Sequence, residues 1–417
     1  MKEHVHSVNG AVTGLSALPS TAQPMASVKA MSRFLHHEKV TLPALIEPVQ
    51  ESIRTVLVAS PALVALAVHD WCMYGFNTHT SKADRLQRTH KYDVGYDVGT
   101  ALIVDAQNGQ PLGPMELRCR TGNGMLSTRP GNASYPSAHV DEVAGVMADA
   151  SRWNLSKPLV HIIDREADSV GHFRVWHAAG HQFVVRADND RIVTWKGQSL
   201  SLKELQAQCA DQFQASSLVV NSAEHGRCRV KMMETEVILE RPARTWVGDK
   251  QKEIPGPALP LRLVLTRVVD DKQQVQAEWL LLTNVAASFD TATIAQWYTW
   301  RWFIESYHKL LKTAGMNAEE WQQESGDAFA KRLVIASMAC LAVWHLQRDP
   351  SEEAVRLKSI LIRLSGRQMK HRVKHTAPAL LAGLEKLLAI IDLLETQNLD
   401  EVIQLARSTL PSLFSSA

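Results

Sequence analysis

The sequence predicts an α/β fold in which a mixed sheet is flanked by helices and interrupted by a block of strands. Two short apolar runs, residues 63–70 (LVALAVHD) and 158–164 (PLVHIID), each end in an aspartate and are typical of buried strands. A hairpin pattern and a helical pattern lie between them. Residues 182–285 are a series of strand-like runs separated by Gly, Pro and Asp. Helical patterns precede and follow these strands, which completes the predicted architecture.

Composition limits the classes of protein to which the chain can belong. It has 417 residues, of which 45% are hydrophobic and 21% charged, as in a globular protein with room for several domains. The net charge of +2 does not by itself indicate a nucleic-acid partner. The five cysteines form no C-x2-C pair, which argues against a zinc ribbon and fits a reducing compartment. Because the sequence has neither a signal-peptide pattern nor an apolar run of about 18 residues, we expect a cytoplasmic protein.

The elements follow one another in a readable order. A helical pattern covers residues 26–58, and the first apolar run comes next. The segments VGYDVGTALIVD and QNGQPLG then predict a hairpin, because Asn108-Gly109 is a strong turn signal. Residues 139–153 predict an amphipathic helix that leads into the second apolar run. Another helix begins shortly after Asp164, with acidic residues in its first turn.

The most informative stretch is residues 297–316, WYTWRWFIESYHKLLKTAGM, which predict a single amphipathic helix. At about 100° per residue, this helix has an aromatic back and a polar front. The front carries one carboxylate among cations and a phenol: Tyr298, Arg301, Glu305, Lys309 and Lys312. A carboxylate binds hard divalent cations, and Arg and Lys bind phosphate oxygens. Taken alone, the pattern also fits a surface helix with an ion pair between Glu305 and Lys309.

The spacing Y-x2-R-x3-E-x6-K resembles the signature of bacterial insertion-sequence transposases, which are cut-and-paste DDE enzymes with an RNase H-like core. A second motif of that family, D-R-E-A-D, is intact at residues 164–168. The resemblance covers the chain from about residue 26 to the C-terminus. It implies an RNase H-like mixed sheet with flanking helices, an all-β insertion before the last catalytic residue, and helical N- and C-terminal parts.

The resemblance implies three catalytic, metal-binding carboxylates: Asp70, Asp164 and Glu305. Oxygen-only ligands favour two Mg²⁺ or Mn²⁺ ions over zinc, and ions about 4 Å apart suit phosphodiester chemistry. The chain departs from the family after the first aspartate, where Trp71 and Cys72 replace the usual D-T-T or D-x-T. Other aspartates are alternatives for the first ligand, although none follows so clean an apolar run: Asp84, Asp93, Asp97 and Asp105.

The resemblance also implies a set of residues that contact DNA: Arg186, Trp279, Tyr298, Arg301, Lys309 and Lys312. For Trp279, stacking on an extruded base and packing in the core are equally weighted alternatives. Salt-dependent phosphate affinity is expected from residues 354–376, which hold seven Lys or Arg and no acid. A modest basic face on the N-terminal helices is a further candidate, and its alternative is a solvated surface: Lys29, Arg33, His36, His37 and Lys39.

We therefore expect a transposase that acts on double-stranded DNA with inverted-repeat ends and on target DNA, as a homodimer in the DNA complex and without a membrane. Two alternatives remain open, a metal-dependent nuclease of the same fold and a catalytically impaired DNA-binding regulator derived from a transposase. The expected domains are a short helical DNA-contacting segment, two parts of the catalytic core around a β-strand insertion, and a helical C-terminal region for dimerisation and DNA contacts: 1–58, 59–186, 187–285, 286–347 and 348–417.

Overall fold

The structure of the protein is a computed structural model, which describes residues 24–88, 90–131, 138–222, 226–247, 250–369 and 373–410. Residues 1–23, which belong to the predicted DNA-contacting segment 1–58, lie outside these described residues. So do residues 370–372 of the predicted basic patch.

Helices stand before, between and after the strands. They are α1 (Pro24–His36), α2 (Leu42–Ala59), α3 (His139–Asp149), α4 (Val170–Ala178), α5 (Leu202–Gln208), α6 (Thr291–Trp300), α7 (Trp302–Lys309), α8 (Gly326–Arg348), α9 (Glu352–Ser365), α10 (Ala377–Thr396) and α11 (Leu399–Thr409). Short 3₁₀ segments add to these at Ala150–Trp153, Arg165–Ala167, Ala210–Gln212 and Ala318–Glu320.

The strands fall into an N-terminal and a central group. They are β1 (Ala65–Gly75), β2 (Leu86–Gln87), β3 (Val94–Asp105), β4 (Pro111–Thr121), β5 (Gly124–Ser127), β6 (Leu159–Ile163), β7 (Gln182–Arg186), β8 (Ile192–Trp195), β9 (Gln198–Ser201), β10 (Gln214–Ser222), β11 (Gly226–Leu239), β12 (Ala243–Val247), β13 (Lys250–Ile254), β14 (Leu259–Val269) and β15 (Val275–Thr283). The predicted hairpin is confirmed, because β3 and β4 pair in antiparallel fashion.

Thirteen of the described strands form one sheet with the order β5-β4-β3-β1-β6-β7-β15-β14-β11-β8-β9, with β2 beside β3 and β10 beside β11. β1, β6 and β7 run parallel to one another, and β3 and β15 flank them in the antiparallel direction. The fold is therefore α/β with a large mixed sheet and helices. Most strands of the central block extend this same sheet beyond β7, while β12 and β13 form a separate hairpin.

The first predicted strand is longer than expected, since β1 continues to Gly75. Our prediction that Asp70 ends this strand is wrong, because β3 continues to pair with β1 beyond that point. On the other side of β1, however, pairing with β6 stops where His69 lies opposite Ile163. Asp70 and Asp164 are the next residues on these two parallel strands, so the backbone brings them to one edge.

The stretch 297–316 is helical, but our prediction of a single uniform α-helix is wrong. Arg301 keeps helical angles (φ −51°, ψ −34°), yet its N–H bonds the carbonyl of Tyr298, three residues back. After α7 the chain widens into a π-helical turn, Leu310–Ala314. Because these turns have different angular spacings, a constant 100° per residue does not hold, and Lys312 points towards β1 rather than along the predicted stripe.

The core lies between the sheet and the long helix α8. Tyr307 of α7 is buried there, and its hydroxyl lies 2.6 Å from that of Ser337 on α8. This contact fixes α7, and with it Glu305, relative to the core. Among the described residues, α8 alone is long and apolar enough to cross a membrane by length and composition, and 67% of that apolar window is buried inside the fold.

Candidate functional site

Asp70 and Asp164 lie where β1 and β6 separate. Each aspartate directly follows the last paired residue of its strand, His69 or Ile163. Neighbouring strands are about 4.8 Å apart, so the two carboxylates project from adjacent strands. Each aspartate accepts a hydrogen bond from the next backbone N–H, at 2.9 Å from Trp71 and 2.6 Å from Arg165. The Tyr298 hydroxyl also donates to Oδ1 of Asp164 at 3.3 Å.

Arg301 brings Glu305 to the same place. Its Nη2 donates to Oε1 of Glu305 at 2.6 Å, and its Nη1 lies 3.7 Å from Oδ2 of Asp164. The Arg301 residue is only 8% exposed. A buried guanidinium therefore joins a carboxylate at the end of β6 to one on α7. The ion pair between Glu305 and Lys309, expected for a simple surface helix, is replaced by the pair with Arg301, one turn earlier.

The electrostatics of Asp70 show that carboxylates are crowded at this site. Burial raises the pKa of the Asp70 carboxyl to about 6, although the Trp71 N–H and the charge of Arg301 act in the opposite direction. The charges of Glu305 and Asp164 raise this pKa further. Asp70 thus interacts with both of the other predicted carboxylates and with Arg301. A nearby cation would favour the ionised form of Asp70.

The donor set fits Mg²⁺ or Mn²⁺, because Asp70, Asp164 and Glu305 offer only carboxylate oxygens. Among the described residues, however, no group of three or more His, Cys, Asp and Glu side chains is arranged to hold a metal ion. The guanidinium of Arg301 lies between two of the carboxylates and supplies the positive charge there. The carboxylate donors are therefore of the type that binds a divalent ion. In this arrangement the guanidinium of Arg301 is the counter-ion of Asp164 and Glu305.

Contacts within the protein occupy Asp84, Asp97 and Asp105 among the alternative aspartates. The Asp97 carboxylate lies 2.7 Å from Nε2 of His139 and accepts from Arg88 at 2.8 Å. Asp84 accepts from the first N–H of α8 at 2.8 Å, and Asp105 accepts from the hairpin turn at 2.7 Å. These contacts give the three carboxylates structural roles.

The predicted DNA-contacting residues are not all equally accessible. Arg186 lines a cavity of about 320 Å³ together with Asn189 and Arg165, the residue that follows Asp164. The Trp279 ring is half-buried against the apolar core, with its centroid 5.5 Å from that of Tyr298. It thus packs against the core while bordering the candidate site. The remaining members of the set are Tyr298 and Arg301, which are buried, Lys309, which is exposed, and Lys312.

Lys312 is occupied within the protein. Its ammonium donates to the carbonyl of Met73 at 2.7 Å and lies 3.2 Å from Oε1 of Glu319. The same carboxylate oxygen accepts from the N–H of Gly75 at 2.6 Å. Lys312, the last residue of the signature, thus ties the π-helical turn after α7 to the far part of β1. Glu319 competes with any phosphate for the Lys312 ammonium.

The predicted basic patches are also only partly at the surface. Lys358 is 7% exposed and donates to the carbonyl of Asp349 at 2.6 Å, close to the end of α8. Lys358 is therefore a structural residue, and the phosphate affinity that we predict for residues 354–376 would have to come from other members of the patch. The five cations of the N-terminal basic face are exposed.

The sequence analysis missed three residues that lie next to, or in contact with, residues of the two motifs. Arg165 lies in the D-R-E-A-D motif, so its position beside Asp164 could have been noted. Glu319 gave no signal, because its contact with Lys312 depends on the π-helical turn. His139 gave none either, because its carboxylate partners Asp97 and Glu166 are distant in sequence.

Comparisons with known proteins add little to this description. No family model and no curated protein matches the chain. Among solved structures, it is similar to the piggyBac transposase synaptic complex with hairpin DNA, determined by cryo-EM, with a TM-score of 0.28 and 10% sequence identity. The match covers 79% of this chain and 63% of that one, so the chain spans less than two thirds of that transposase. A similarity this low carries no weight for fold or function.

Proposed function

We propose that the protein is a DNA transposase that cleaves the ends of a mobile element and joins them to target DNA. The observation that carries the proposal is the convergence of three carboxylates. Asp70 and Asp164 continue adjacent parallel strands, and Arg301 joins Asp164 to Glu305. Tyr298 contacts the same group through Asp164. Apart from Asp70, these side chains belong to the two motifs that the sequence shares with the insertion-sequence transposases it resembles.

An RNase H-like core is the finer fold that we propose. The hairpin of β3 and β4 beside β1, followed by α3 and the parallel strands β6 and β7, supports it. On this interpretation β8–β15 are an insertion within that core, and α6 to α8 complete it. The domain boundaries proposed above, at residues 58, 186, 285 and 347, follow from the same interpretation.

Asp70, Asp164 and Glu305 would hold two Mg²⁺ or Mn²⁺ ions. Such ions supply activation of a water or a DNA 3′-hydroxyl and stabilisation of the leaving oxygen. The protein's own groups have separate tasks. Arg301 keeps Asp164 and Glu305 together without repulsion, and Tyr298 orients Asp164. Arg186 provides positive charge beside the site for a neighbouring phosphate.

Double-stranded DNA with inverted-repeat ends, and target DNA, are the proposed substrates. The proposed assembly on DNA is a homodimer, and the proposed location is the bacterial cytoplasm. Several apolar side chains on α10 and α11 are exposed and offer a surface for dimerisation: Ile390, Ile391, Leu394, Leu399, Ile403 and Leu405. The exposed cations of α1 and of the segment that follows it would contact phosphates.

A plasmid assay tests the proposal. The full-length protein is incubated with Mn²⁺ and a plasmid that carries its coding sequence with the flanking genomic DNA. We expect double-strand breaks at two defined flanking positions and joined products in a second plasmid. Asp70→Asn, Asp164→Asn and Glu305→Gln should each reduce cleavage at least about 100-fold, a factor that corresponds to nearly 3 kcal/mol of barrier.

The matched control is Asp190→Asn, which removes an exposed carboxylate from the turn after β7. It should leave cleavage unchanged. Cleavage at undefined positions without joined products would identify a nuclease instead. Specific binding to the flanks without cleavage would identify a regulator, and either result would overturn the transposase proposal.

A further inference from the structure

His139, at the start of α3, contacts two distant carboxylates. Its Nδ1 lies 2.7 Å from Oε1 of Glu166, and its Nε2 lies 2.7 Å from Oδ2 of Asp97. Because ionised carboxylates only accept hydrogen bonds, both ring nitrogens donate when the imidazole is protonated. Burial acts to lower the pKa of His139, but the hydrogen bonds to Asp97 and Glu166 outweigh burial and raise that pKa. Arg88 donates to the same oxygen of Asp97 at 2.8 Å, which helps to fix that carboxylate. His139 thus links β3 to the turn that follows Asp164.

The same ring stacks on Trp71. The ring centroids are 4.6 Å apart and the planes differ by 2°. The Trp71 indole is itself held, because its Nε1 donates to Oε2 of Glu142 at 3.0 Å and Arg118 pairs with that oxygen at 3.1 Å. Gly99 of β3 is also close, since a Cβ there would lie 2.9 Å from the indole nitrogen. Trp71 can therefore move little.

These contacts place His139 between the backbones of two proposed metal ligands. Trp71 directly follows Asp70 on β1, and Glu166 comes two residues after Asp164. A single imidazole therefore contacts Trp71 on β1 and Glu166 in the 3₁₀ segment after Asp164. It contacts the chain next to each proposed ligand through these neighbours. Beyond His69 and Ile163 the strands β1 and β6 no longer pair, so backbone hydrogen bonds between them cannot fix the spacing there.

We propose that His139 is a positioning residue that sets Asp164 relative to Asp70, through Glu166 on one side and Trp71 on the other. The inference rests on the proposed function, and it assigns a task to Trp71, the residue that follows the first proposed ligand. Two ions bound by carboxylates require ligand positions held within about 0.5 Å, so loss of this support weakens metal binding.

The test measures Mn²⁺ binding to the full-length protein without DNA, by electron paramagnetic resonance of the free ion. His139→Ala should weaken binding by about tenfold or more, the size of effect typical when residues that orient metal ligands are removed. In the cleavage assay the same variant should need more Mn²⁺ and recover much of its rate at saturating Mn²⁺. A merely structural defect would lower the rate at every concentration.

Glu166→Ala is the second variant, because its side chain is 57% exposed and its removal leaves no cavity. It breaks the link from the solvent side and should weaken Mn²⁺ binding in the same direction as His139→Ala. The proposal therefore remains testable even if His139→Ala unfolds. Trp71→Phe retains an aromatic ring for stacking and should have a smaller effect than either variant.

His172→Ala is the matched control. His172 also joins α3 to α4, with its Nε2 2.6 Å from Asp141, but it contacts neither Glu166 nor Trp71. It should bind Mn²⁺ like the wild type. The inference is overturned, and the proposed function is not, if the wild type binds Mn²⁺ and both Glu166→Ala and folded His139→Ala bind it with the same affinity. Absence of Mn²⁺ binding by the wild type would overturn the proposed function, and the inference with it.

Discussion

The ammonium of Lys312 lies 3.2 Å from a carboxylate oxygen of Glu319, and this pair closes the π-helical turn onto β1. The cation is therefore already neutralised in the protein without DNA. It can serve a phosphate only in competition with Glu319, whose carboxylate also accepts from Gly75.

Glu319→Gln should therefore strengthen DNA binding. The amide oxygen can still accept from Gly75, while the negative charge near Lys312 is lost. We expect affinity for a short duplex at low salt to rise about twofold to fivefold, the range of a partly exposed ion pair. Fluorescence anisotropy at several salt concentrations measures it. Glu320→Gln, at the exposed next position, is the control, and an equal gain there would contradict the explanation.

Asp70 should make the protein less stable as the pH rises. Its pKa is raised to about 6 in the folded state from 3.8 in the unfolded chain, so the folded state binds the proton more tightly. The stability that protonation provides is complete below about pH 4 and is lost by about pH 6. Asp70→Asn removes this loss, and its free energy of unfolding at pH 8 should exceed that of the wild type by about 1–3 kcal/mol.

Urea unfolding at pH 4 and pH 8 checks this prediction. The advantage of Asp70→Asn should nearly vanish at pH 4, where the wild-type carboxyl is protonated. Asp190→Asn again serves as the exposed control. An equal advantage at both pH values would show that burial of Asp70 is not the cause.

We expect a divalent ion to replace the positive charge that Arg301 places between Asp164 and Glu305. Arg301→Ala leaves Asp164 and Glu305 without their shared cation, and we expect a loss of about 1–2 kcal/mol, since both carboxylates are about one third exposed. Mn²⁺ should then raise the melting temperature of this variant more than that of the wild type. Arg356→Ala, at an exposed site on α9, should show no extra response. An equal response in all three proteins would refute the idea.

Trp279 allows packing and stacking to be separated. Trp279→Phe keeps an aromatic ring in the core and should cost less than about 1.5 kcal/mol of stability. Stacking on an extruded base is worth about 1–3 kcal/mol, so the smaller ring should weaken binding of DNA with an unpaired end base by several-fold. Fluorescence of 2-aminopurine at that base reports the stacking. Unchanged fluorescence with unchanged affinity would assign Trp279 to packing alone.

The sequence was most informative where a pattern is local. Apolar runs predicted β1 and β6, the Asn108-Gly109 turn predicted the hairpin, and spacing predicted a polar face around Glu305. Periodicity and turn chemistry depend on residues a few positions apart, which is why these elements could be read directly. The α/β class with a mixed sheet follows from their order.

Contacts between distant residues were decided only by the tertiary structure. The end of pairing between β1 and β6 sets Asp70 beside Asp164, although β1 itself continues to Gly75. Arg301 was predicted to face DNA, but it is buried between two carboxylates. The sequence by itself determined which side chains are available for the proposed chemistry. Strand register and packing decide which of these side chains meet and which are neutralised by a neighbour. Charged groups far apart along the chain interact only once the core has brought their backbones together.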